Sequence, residues 1–308
     1  MADRRFPLTL FPLWTAVVAG AVSVSISGRF AEYRQVFDVT VAGSGPPVIL
    51  IPGLATTGAV WDSTAERLKD RYELHTLTLA GFGGPKALGE PFLPRVATAI
   101  AEYIEERRLV RPVLVGHSLG GFVAFMTASR TPEAVGGVVA VDGVPFLPAL
   151  ANPAATAAAQ AQQAGGIKSL YGSMTREQYM TQTGLALASM ITAPDDVERA
   201  RGWAAESEPS AVGVAVAEMM TTDLRQQSGR ITAPVLLIGA LGAAPEPMRD
   251  TFRAAYQAQV AGVPRASVIF AERAKHFIML DDPAFFFPAL ESFLLDVRAP
   301  GAAAASGR

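Results

Sequence analysis

The chain of 308 residues contains no cysteine and only three histidines, His75, His117 and His276. The absence of thiols excludes disulfides, thiolate zinc sites, iron–sulfur clusters and a cysteine nucleophile. With so few imidazoles, a histidine-rich metal site is not expected. The sequence therefore predicts neither a metal nor a cofactor.

Charge is also scarce. Charged residues make up 18% of the chain, and the formal net charge is -2. A protein that binds nucleic acid usually carries a clustered positive charge. Since no such excess is visible, nucleic acid is not expected as a partner. Half of the residues are apolar, which is enough to bury a large core.

The N-terminal segment combines positive charge with a long uncharged stretch. Arg4 and Arg5 precede residues 6–26, which carry no charge, and residues 19–21 read Ala-Gly-Ala. This order predicts a signal peptide over residues 1–21 and export to the periplasm or the medium. An apolar arm on a cytoplasmic protein is the alternative. Two prolines in the stretch disfavour a spanning helix, so stable membrane association is not expected.

Short apolar runs alternate with segments of helical periodicity after residue 30. The predicted strands cover residues 37–41, 48–51, 73–79, 113–115, 138–141, 234–239 and 266–270. The alternation predicts an α/β fold, with a mostly parallel central sheet and helices on both faces.

One part of the chain breaks this alternation. Residues 146–224 contain no run typical of a buried strand and are rich in alanine, glutamine and methionine. They predict an inserted helical cap between two parts of one core, residues 30–145 and 225–298. Residues 299–308 are mostly alanine and glycine at the C-terminus, and we expect a disordered tail there.

The strongest local motif is Gly116-His117-Ser118-Leu119-Gly120-Gly121, between a predicted strand and a predicted helix. It fits G-x-S-x-G, in which a sharp turn lifts a serine above the sheet and glycines prevent collisions. The N–H groups at the start of the following helix would face developing negative charge. The pattern predicts Ser118 as a nucleophile.

A serine hydroxyl needs a base to take its proton, and three histidines are available. His75 lies within a predicted strand. His117 precedes the serine in the turn, and its side chain is expected to point away from the catalytic face. His276 follows the last predicted strand, at the carboxyl edge where open α/β sheets bind ligands. Elimination and position both favour His276 as the base.

A tetrahedral intermediate needs backbone N–H groups to hold its oxyanion. One should come from the residue after the nucleophile, Leu119. The other should come from the loop after the first buried strand, where Gly53 lets the backbone turn closely. We therefore expect the N–H groups of Leu54 and Leu119 to form the oxyanion hole.

These residues together resemble the α/β-hydrolase family. Gly-Ser-Gly-Pro-Pro-Val-Ile-Leu-Ile-Pro-Gly at 43–53 is similar to its entry strand and oxyanion loop, and 116–121 to its nucleophile elbow. Residues 233–239 resemble its penultimate strand, and Lys275-His276 its histidine loop. The resemblance implies the fold, a catalytic triad, acyl-enzyme chemistry and no cofactor.

The acid of the triad departs from the family pattern. The family most often places it about three residues past the glycine that ends the penultimate strand. Here that position is Gly242, and no carboxylate lies near it. Some members place the acid after the strand that follows the nucleophile helix, where this chain has Asp142. Asp142 is the preferred acid, Glu246 is the alternative, and a dyad or another group is the third possibility.

The predicted activity is that of a carboxylesterase acting on hydrophobic esters of short to medium chain length. An apolar cap without an obvious charged selector favours a neutral acyl group. The predicted pocket residues are Trp61, Phe146, Leu147 and Phe277. Cleavage of carbon–carbon, amide or lactone bonds and perhydrolysis use the same residues. A non-catalytic protein that binds a small ligand is the alternative from another class.

Overall fold

The computed structural model describes residues 32–298. The predicted signal peptide, residues 1–21, and the predicted tail, residues 299–308, lie outside the described residues. Within the described part of the chain, no helix is both long enough and apolar enough to cross a membrane.

Seven strands in residues 32–298 form one sheet in the order β1-β3-β2-β4-β5-β6-β7. The strands are β1 (Phe37–Gly43), β2 (Pro47–Ile51), β3 (Glu73–Leu79), β4 (Val113–His117), β5 (Gly137–Val141), β6 (Val235–Ala240) and β7 (Ala266–Ala271). β1 pairs antiparallel with β3, and the other neighbours are parallel. The predicted α/β fold with a mostly parallel sheet is therefore confirmed.

The sheet is buried on both faces, which explains why its strands read as continuous apolar runs. Successive side chains of a strand point to opposite faces. Ile49 and Ile51 accordingly belong to one buried cluster, and Val48 and Leu50 to the other. The helices of the core are α1 (Asp62–Leu68), α2 (Leu93–Glu106), α3 (Leu119–Arg130), α8 (Arg249–Gln259), α9 (Ile278–Asp281) and α10 (Pro283–Arg298). Helices α2, α3 and α8 pack on the Ile49 side, and α1 and α10 on the Val48 side.

Four helices lie between β5 and β6: α4 (Ala157–Ser173), α5 (Arg176–Met190), α6 (Pro194–Ala205) and α7 (Pro209–Thr221). We call residues 157–221 the insertion. Side-chain caps start α4 and α5: Thr156 accepts from Ala159 N, and Thr175 forms a capping box with Gln178. Helix α4 packs on α7, and α5 packs on α6.

A partly buried carboxylate joins the insertion to the core. Glu218 on α7 accepts hydrogen bonds from the backbone N–H groups of Phe92 and Leu93, both at 2.7 Å. These N–H groups lie at the start of α2, where a helix leaves its first donors unpaired and favours negative charge. Burial raises the pKa of Glu218. The contact fixes α7 against the start of α2.

The parallel strands bring three predicted residues to one edge of the sheet. Ser118 directly follows β4, Asp142 directly follows β5, and His276 lies in the loop after β7. β5 and β7 flank β6, so Asp142 and His276 are separated by one strand. With strands about 4.8 Å apart, a carboxylate after β5 must extend across β6 to meet that loop.

Candidate active site

Ser118 occupies a strained turn between β4 and α3. Its backbone has φ 53° and ψ −116°, in a region that residues other than glycine rarely adopt. The turn is held because Ser118 N donates to Val141 O at 2.9 Å, and Phe122 N donates to Ser118 O at 3.1 Å. Such strain persists only where the surrounding structure enforces it, and it is frequent at functional sites.

The glycines around Ser118 are required by close backbone contacts. A Cβ atom on Gly116 would lie 2.2 Å from the carbonyl carbon of Gly120. A Cβ atom on Gly120 would lie 2.2 Å from Ile51 O, and one on Gly143 would lie 2.4 Å from Ser118 O. No side chain fits at these distances. The glycine spacing of the motif is therefore a packing requirement of this turn.

Asp142 and His276 form a direct hydrogen bond. His276 Nδ1 lies 2.5 Å from Asp142 Oδ2. The Asp142 side chain is 9% exposed and the His276 side chain is 25% exposed. Nδ1 must donate to the carboxylate, because an ionised carboxylate only accepts. In the neutral imidazole this hydrogen bond places the proton on Nδ1 and leaves Nε2 able to accept one.

The other carboxylate oxygen of Asp142 is also fully engaged. Oδ1 accepts from Ala240 N at 2.9 Å and from the Tyr256 hydroxyl at 2.5 Å. The backbone of Asp142 has φ 50°, and its N–H donates to Ile238 O at 2.8 Å. Both carboxylate oxygens are thus fixed, and the aspartate is anchored to the neighbouring strand β6.

Glu246, the alternative acid, lies apart from His276. Its side chain is 81% exposed and pairs with Arg249 at 3.1 Å. Gly242, the position that the family pattern favours, has no space for a side chain. A Cβ atom there would lie 2.3 Å from Arg273 O and 2.6 Å from Ala274 O.

His117 differs from the sequence-based expectation that it points away from the catalytic face. Its side chain lines the same cavity as Ser118. Its Nε2–H donates to His276 O at 3.1 Å, and its ring centroid lies 4.7 Å from that of His276. Burial, and secondarily the neighbouring His276, lower the pKa of His117 well below 6.5. His117 is therefore neutral, and its buried Nδ1 has no partner among the described residues.

The two expected oxyanion donors lie close to Ser118 in the fold. Leu54 lines the cavity that contains Ser118, and Leu119 is the first residue of α3. The N–H at the first position of a helix has no intrahelical acceptor. Ala55, next to Leu54, has φ 53°, so the loop after β2 turns sharply here. A role in holding an oxyanion stays a prediction.

The cavity at this edge has a volume of about 150 Å³, and eight of its fourteen lining residues come from the insertion. The insertion supplies chiefly Tyr171, Tyr179, Thr183, Leu187, Met190 and Val212. No aspartate, glutamate, lysine or arginine lines the cavity. Tyr179 donates to Ala204 O at 3.3 Å. The cavity is thus mainly apolar, and its hydroxyl-bearing lining residues are Ser118, Tyr171, Tyr179 and Thr183.

Of the four predicted pocket residues, Phe277 lines this cavity. The other three lie elsewhere. Trp61 is fully buried in the core, where its ring centroid lies 6.3 Å from that of Phe286 on α10. Phe146 is buried with Ala149 and Ala155. Leu147 is 42% exposed. These three predictions are corrected: apolar character marks a core residue more often than a ligand contact.

Most of the lining residues on α5 were not predicted from the sequence. Tyr179, Thr183, Leu187 and Met190 recur every three or four positions, so they share one face of that helix. This spacing was the available signal. Thr183 is polar, so this face of α5 does not show a continuous apolar pattern in the sequence.

Among residues 32–298, no group of three or more histidine, aspartate and glutamate side chains could hold a metal ion. The residues that meet at the sheet edge are a strained serine, a histidine with a free nitrogen and a carboxylate that orients it. Such an arrangement can activate a hydroxyl group as a nucleophile.

The chain matches one family model and is similar in sequence to known enzymes. A family model described as "Alpha/beta hydrolase family" matches residues 48–289. A pimeloyl-[acyl-carrier protein] methyl ester esterase of Aliivibrio salmonicida is 27% identical over 256 residues, covering 82% of this chain and 93% of that protein. The enzyme of that name from Aeromonas hydrophila is 28% identical over 270 residues, covering 82% and 96%.

Solved structures show the same fold. MenH from S. aureus superposes with a TM-score of 0.72 at 15% identity, covering 86% of this chain and all of that one. A hydrolase from Pseudomonas aeruginosa gives a TM-score of 0.69 at 21% identity, covering 84% and 94%.

Proposed function

Because this chain belongs to the alpha/beta hydrolase family and is a serine hydrolase, we propose that it cleaves carboxylic esters through an acyl-enzyme on Ser118. The observation that carries the proposal is the Asp142–His276 hydrogen bond beside the strained serine turn. The named activity of the relatives, ester hydrolysis, agrees with it.

In the proposed first step, Ser118 Oγ attacks the ester carbonyl carbon while His276 Nε2 takes the hydroxyl proton. Asp142 holds the ring in the required tautomer and stabilises the imidazolium. The carbon–oxygen bond to the alcohol then breaks, and His276 returns the proton to the leaving oxygen. Water repeats these steps on the acyl-enzyme and releases the acid.

The tetrahedral oxyanion would accept hydrogen bonds from Leu54 N and Leu119 N. The N-terminus of α3 adds the favourable end of a helix dipole at this point. Both donors are backbone groups, so no side-chain substitution at 54 or 119 removes them directly. Their geometry depends on the glycines that let the two backbones approach.

The substrate class follows from the cavity. We propose an uncharged acyl group of short to medium length, since no lining residue offers a fixed charge to a carboxylate or an amine. A volume of about 150 Å³ is one in which a benzene-sized apolar molecule binds inside a protein. That size suits acyl chains of roughly four to six carbon atoms.

The insertion would act as the cap of this site. It supplies most of the lining of the cavity, and Glu218 ties it to the core. A cap excludes water from the reacting centre and selects the acyl group. The core would therefore perform the chemistry and the insertion would choose the substrate.

A serine-reactive fluorophosphonate probe and p-nitrophenyl esters of graded chain length test the proposal. The wild-type protein should be labelled at Ser118 and should hydrolyse the four- and six-carbon esters fastest. Ser118→Ala should lose labelling and fall in kcat by about 10⁴- to 10⁶-fold, with its circular dichroism spectrum unchanged.

The matched control is Ser129→Ala, which removes a buried hydroxyl bonded to Met126 O within α3. It should retain labelling and turnover. Substantial hydrolysis by a clean Ser118→Ala preparation would contradict the proposed nucleophile. Absence of labelling in the wild-type protein would favour a non-catalytic protein that binds a small ligand.

A further inference from the structure

A phenol lies against the carboxylate that orients His276. Tyr256, on α8, is 5% exposed, and its hydroxyl lies 2.5 Å from Asp142 Oδ1. The phenol donates, because the carboxylate oxygen can only accept. Hydrogen bonds to ionised groups are among the stronger ones in proteins. The same oxygen accepts from Ala240 N, so Oδ1 is held from two directions.

The space for this phenol is prepared by a glycine. A Cβ atom on Gly239 would lie 3.0 Å from the ring of Tyr256, which is closer than side chains normally pack. The ring of Phe270 on β7 stands edge-on to Tyr256, with centroids 6.0 Å apart. The position of the phenol is thus defined by β6, over which the carboxylate extends, and by β7.

Placing the acid after β5 creates a need for such a contact. An acid at Gly242 would emerge from the loop beside His276, but the backbone of Arg273 and Ala274 fills the space there. Asp142 instead extends over β6, where Ala240 N offers a single backbone donor to Oδ1. The side-chain torsion of aspartate next to the carboxylate has broad energy wells. One donor would therefore restrain the carboxylate plane weakly.

We propose that Tyr256 is the positioning residue of the Asp142 carboxylate. The inference rests on the proposed role of Asp142 in orienting His276. With Oδ1 held by the phenol and by Ala240 N, Oδ2 is aimed at His276 Nδ1. Tyr256 contacts neither the substrate cavity nor the reacting atoms.

The protonation of the phenol supports this role. Burial, reinforced by the negative charge of Asp142, raises the pKa of Tyr256 far above its ordinary value. The hydroxyl therefore keeps its proton near neutral pH and remains a donor.

The test compares Tyr256→Phe with Tyr103→Phe. Tyr103 is a matched control, because its phenol is also buried and also bonded to one group, His75 Nδ1, at 2.8 Å. Each variant loses one buried hydrogen bond and keeps its ring. Tyr256→Phe should lower kcat for a p-nitrophenyl ester by about 10-fold and leave KM within about 2-fold. Tyr103→Phe should leave both constants within about 2-fold.

Proton NMR gives a readout that does not require turnover. A proton in a short histidine–aspartate hydrogen bond resonates far downfield of the amide region. The wild-type protein and Tyr103→Phe should show this resonance for the His276–Asp142 bond. In Tyr256→Phe it should weaken, broaden or move upfield, because the carboxylate is less restrained. Urea unfolding of both variants reports any general loss of stability.

Unchanged kcat and an unchanged downfield resonance in Tyr256→Phe would overturn the inference. Equal losses of kcat in the two variants, in proportion to their stability, would also overturn it. Failure of the proposed function looks different: the wild-type protein would then resist the fluorophosphonate probe. In that case the resonance still decides whether the phenol positions Asp142.

Discussion

The sheet edge and the insertion are built in opposite ways. At the sheet edge, Ser118 and Asp142 both have positive φ values, and Cβ atoms on the glycines beside them would meet backbone atoms at 2.2–2.4 Å. In α4 of the insertion, a Cβ atom on Gly165, Gly166 or Gly172 would meet no neighbouring atom within 4 Å. The glycines beside Ser118 and Asp142 at the sheet edge have no space for a Cβ atom, whereas several glycines of the insertion have open space around them.

This difference separates two kinds of functional residue. A group that moves a proton must be held to within a fraction of an ångström, so it belongs on a backbone that cannot relax. Side chains that line a cavity for an acyl chain can adapt by changing rotamer. Helices that contact the core at a few points, like those of the insertion, allow such changes. Substitutions at the sheet edge should therefore change kcat, and substitutions in the insertion should change the preferred chain length.

The largest effect is expected from Asp142→Asn. Ala240 N and the Tyr256 hydroxyl both need an acceptor, so the amide oxygen will face them. The amide NH₂ must then face His276 Nδ1, which has to accept rather than donate. The imidazole proton moves to Nε2, where it blocks transfer from Ser118. We expect kcat to fall about 10⁴-fold, as the wrong tautomer does in serine proteases, measured with a p-nitrophenyl ester.

Glu246→Gln is the matched control, because it makes the same change at the alternative acid. Its side chain is exposed and pairs with Arg249, so turnover should stay within about 2-fold of the wild-type value. The assignment of the acid to Asp142 fails if Glu246→Gln loses activity and Asp142→Asn keeps it.

The site residues at the sheet edge were easier to predict from the sequence than those on the insertion. The turn at Ser118 needs glycine at fixed positions close to the serine in the chain, so this need appears as a motif even though the contact that excludes a Cβ at Gly120 is with the distant Ile51 O. The α/β fold with a mostly parallel sheet was likewise predicted from a local pattern, the alternation of short apolar runs with helical segments. The sequence does not explain why the acid is missing near Gly242, so it does not decide between Asp142 and Glu246. The reason lies in the structure, where the backbone of Arg273 and Ala274 fills the space at Gly242. Such a long-range contact leaves no mark on the sequence around residue 242.

The pocket could be predicted least. A buried aromatic residue has the same sequence signature in a core as in a binding site, and Trp61 and Phe146 proved to be core residues. Which face of α5 meets Ser118 depends on how the insertion packs on the sheet. That packing is decided by scattered contacts, such as those of Glu218 with the start of α2.

A second prediction tests the insertion side of the comparison. Leu187 on α5 lines the cavity and is 7% exposed. Leu187→Ala should enlarge the cavity and admit longer acyl chains. We expect the ratio of kcat/KM for the eight-carbon ester over the four-carbon ester to rise roughly 10-fold, since a few methylene groups give discrimination of this size. The kcat for the best substrate should change by less than about 3-fold.

Leu185→Ala is the control on the same helix, because Leu185 is 73% exposed and lies outside the cavity lining. It should leave the ratio unchanged. If both alanine variants shift the chain-length preference equally, or if neither does, the insertion does not select the acyl group through this face.

The smallest expected effect concerns how the free energy of unfolding depends on pH through His117 at the sheet edge. Burial lowers the pKa of His117 well below 6.5, so the folded protein keeps this imidazole neutral, whereas the unfolded chain protonates it near pH 6.5. Below that pH the unfolded state binds more protons, and the free energy of unfolding therefore falls as the pH falls. The stabilisation is complete above about pH 6.5 and is lost at up to about 1.4 kcal/mol per pH unit below it. Glu218 acts in the opposite direction, because its raised pKa favours the folded state as the pH falls, but Glu218 is present in both proteins compared.

Urea unfolding between pH 5 and 7 should thus show a shallower pH dependence in His117→Gln than in the wild-type protein. His75→Gln should flatten the dependence less, since burial lowers the pKa of His75 to a smaller extent. Identical slopes for His117→Gln and the wild-type protein would mean that His117 is protonated in the folded state, and the neutral donor assigned to its contact with His276 would then be wrong.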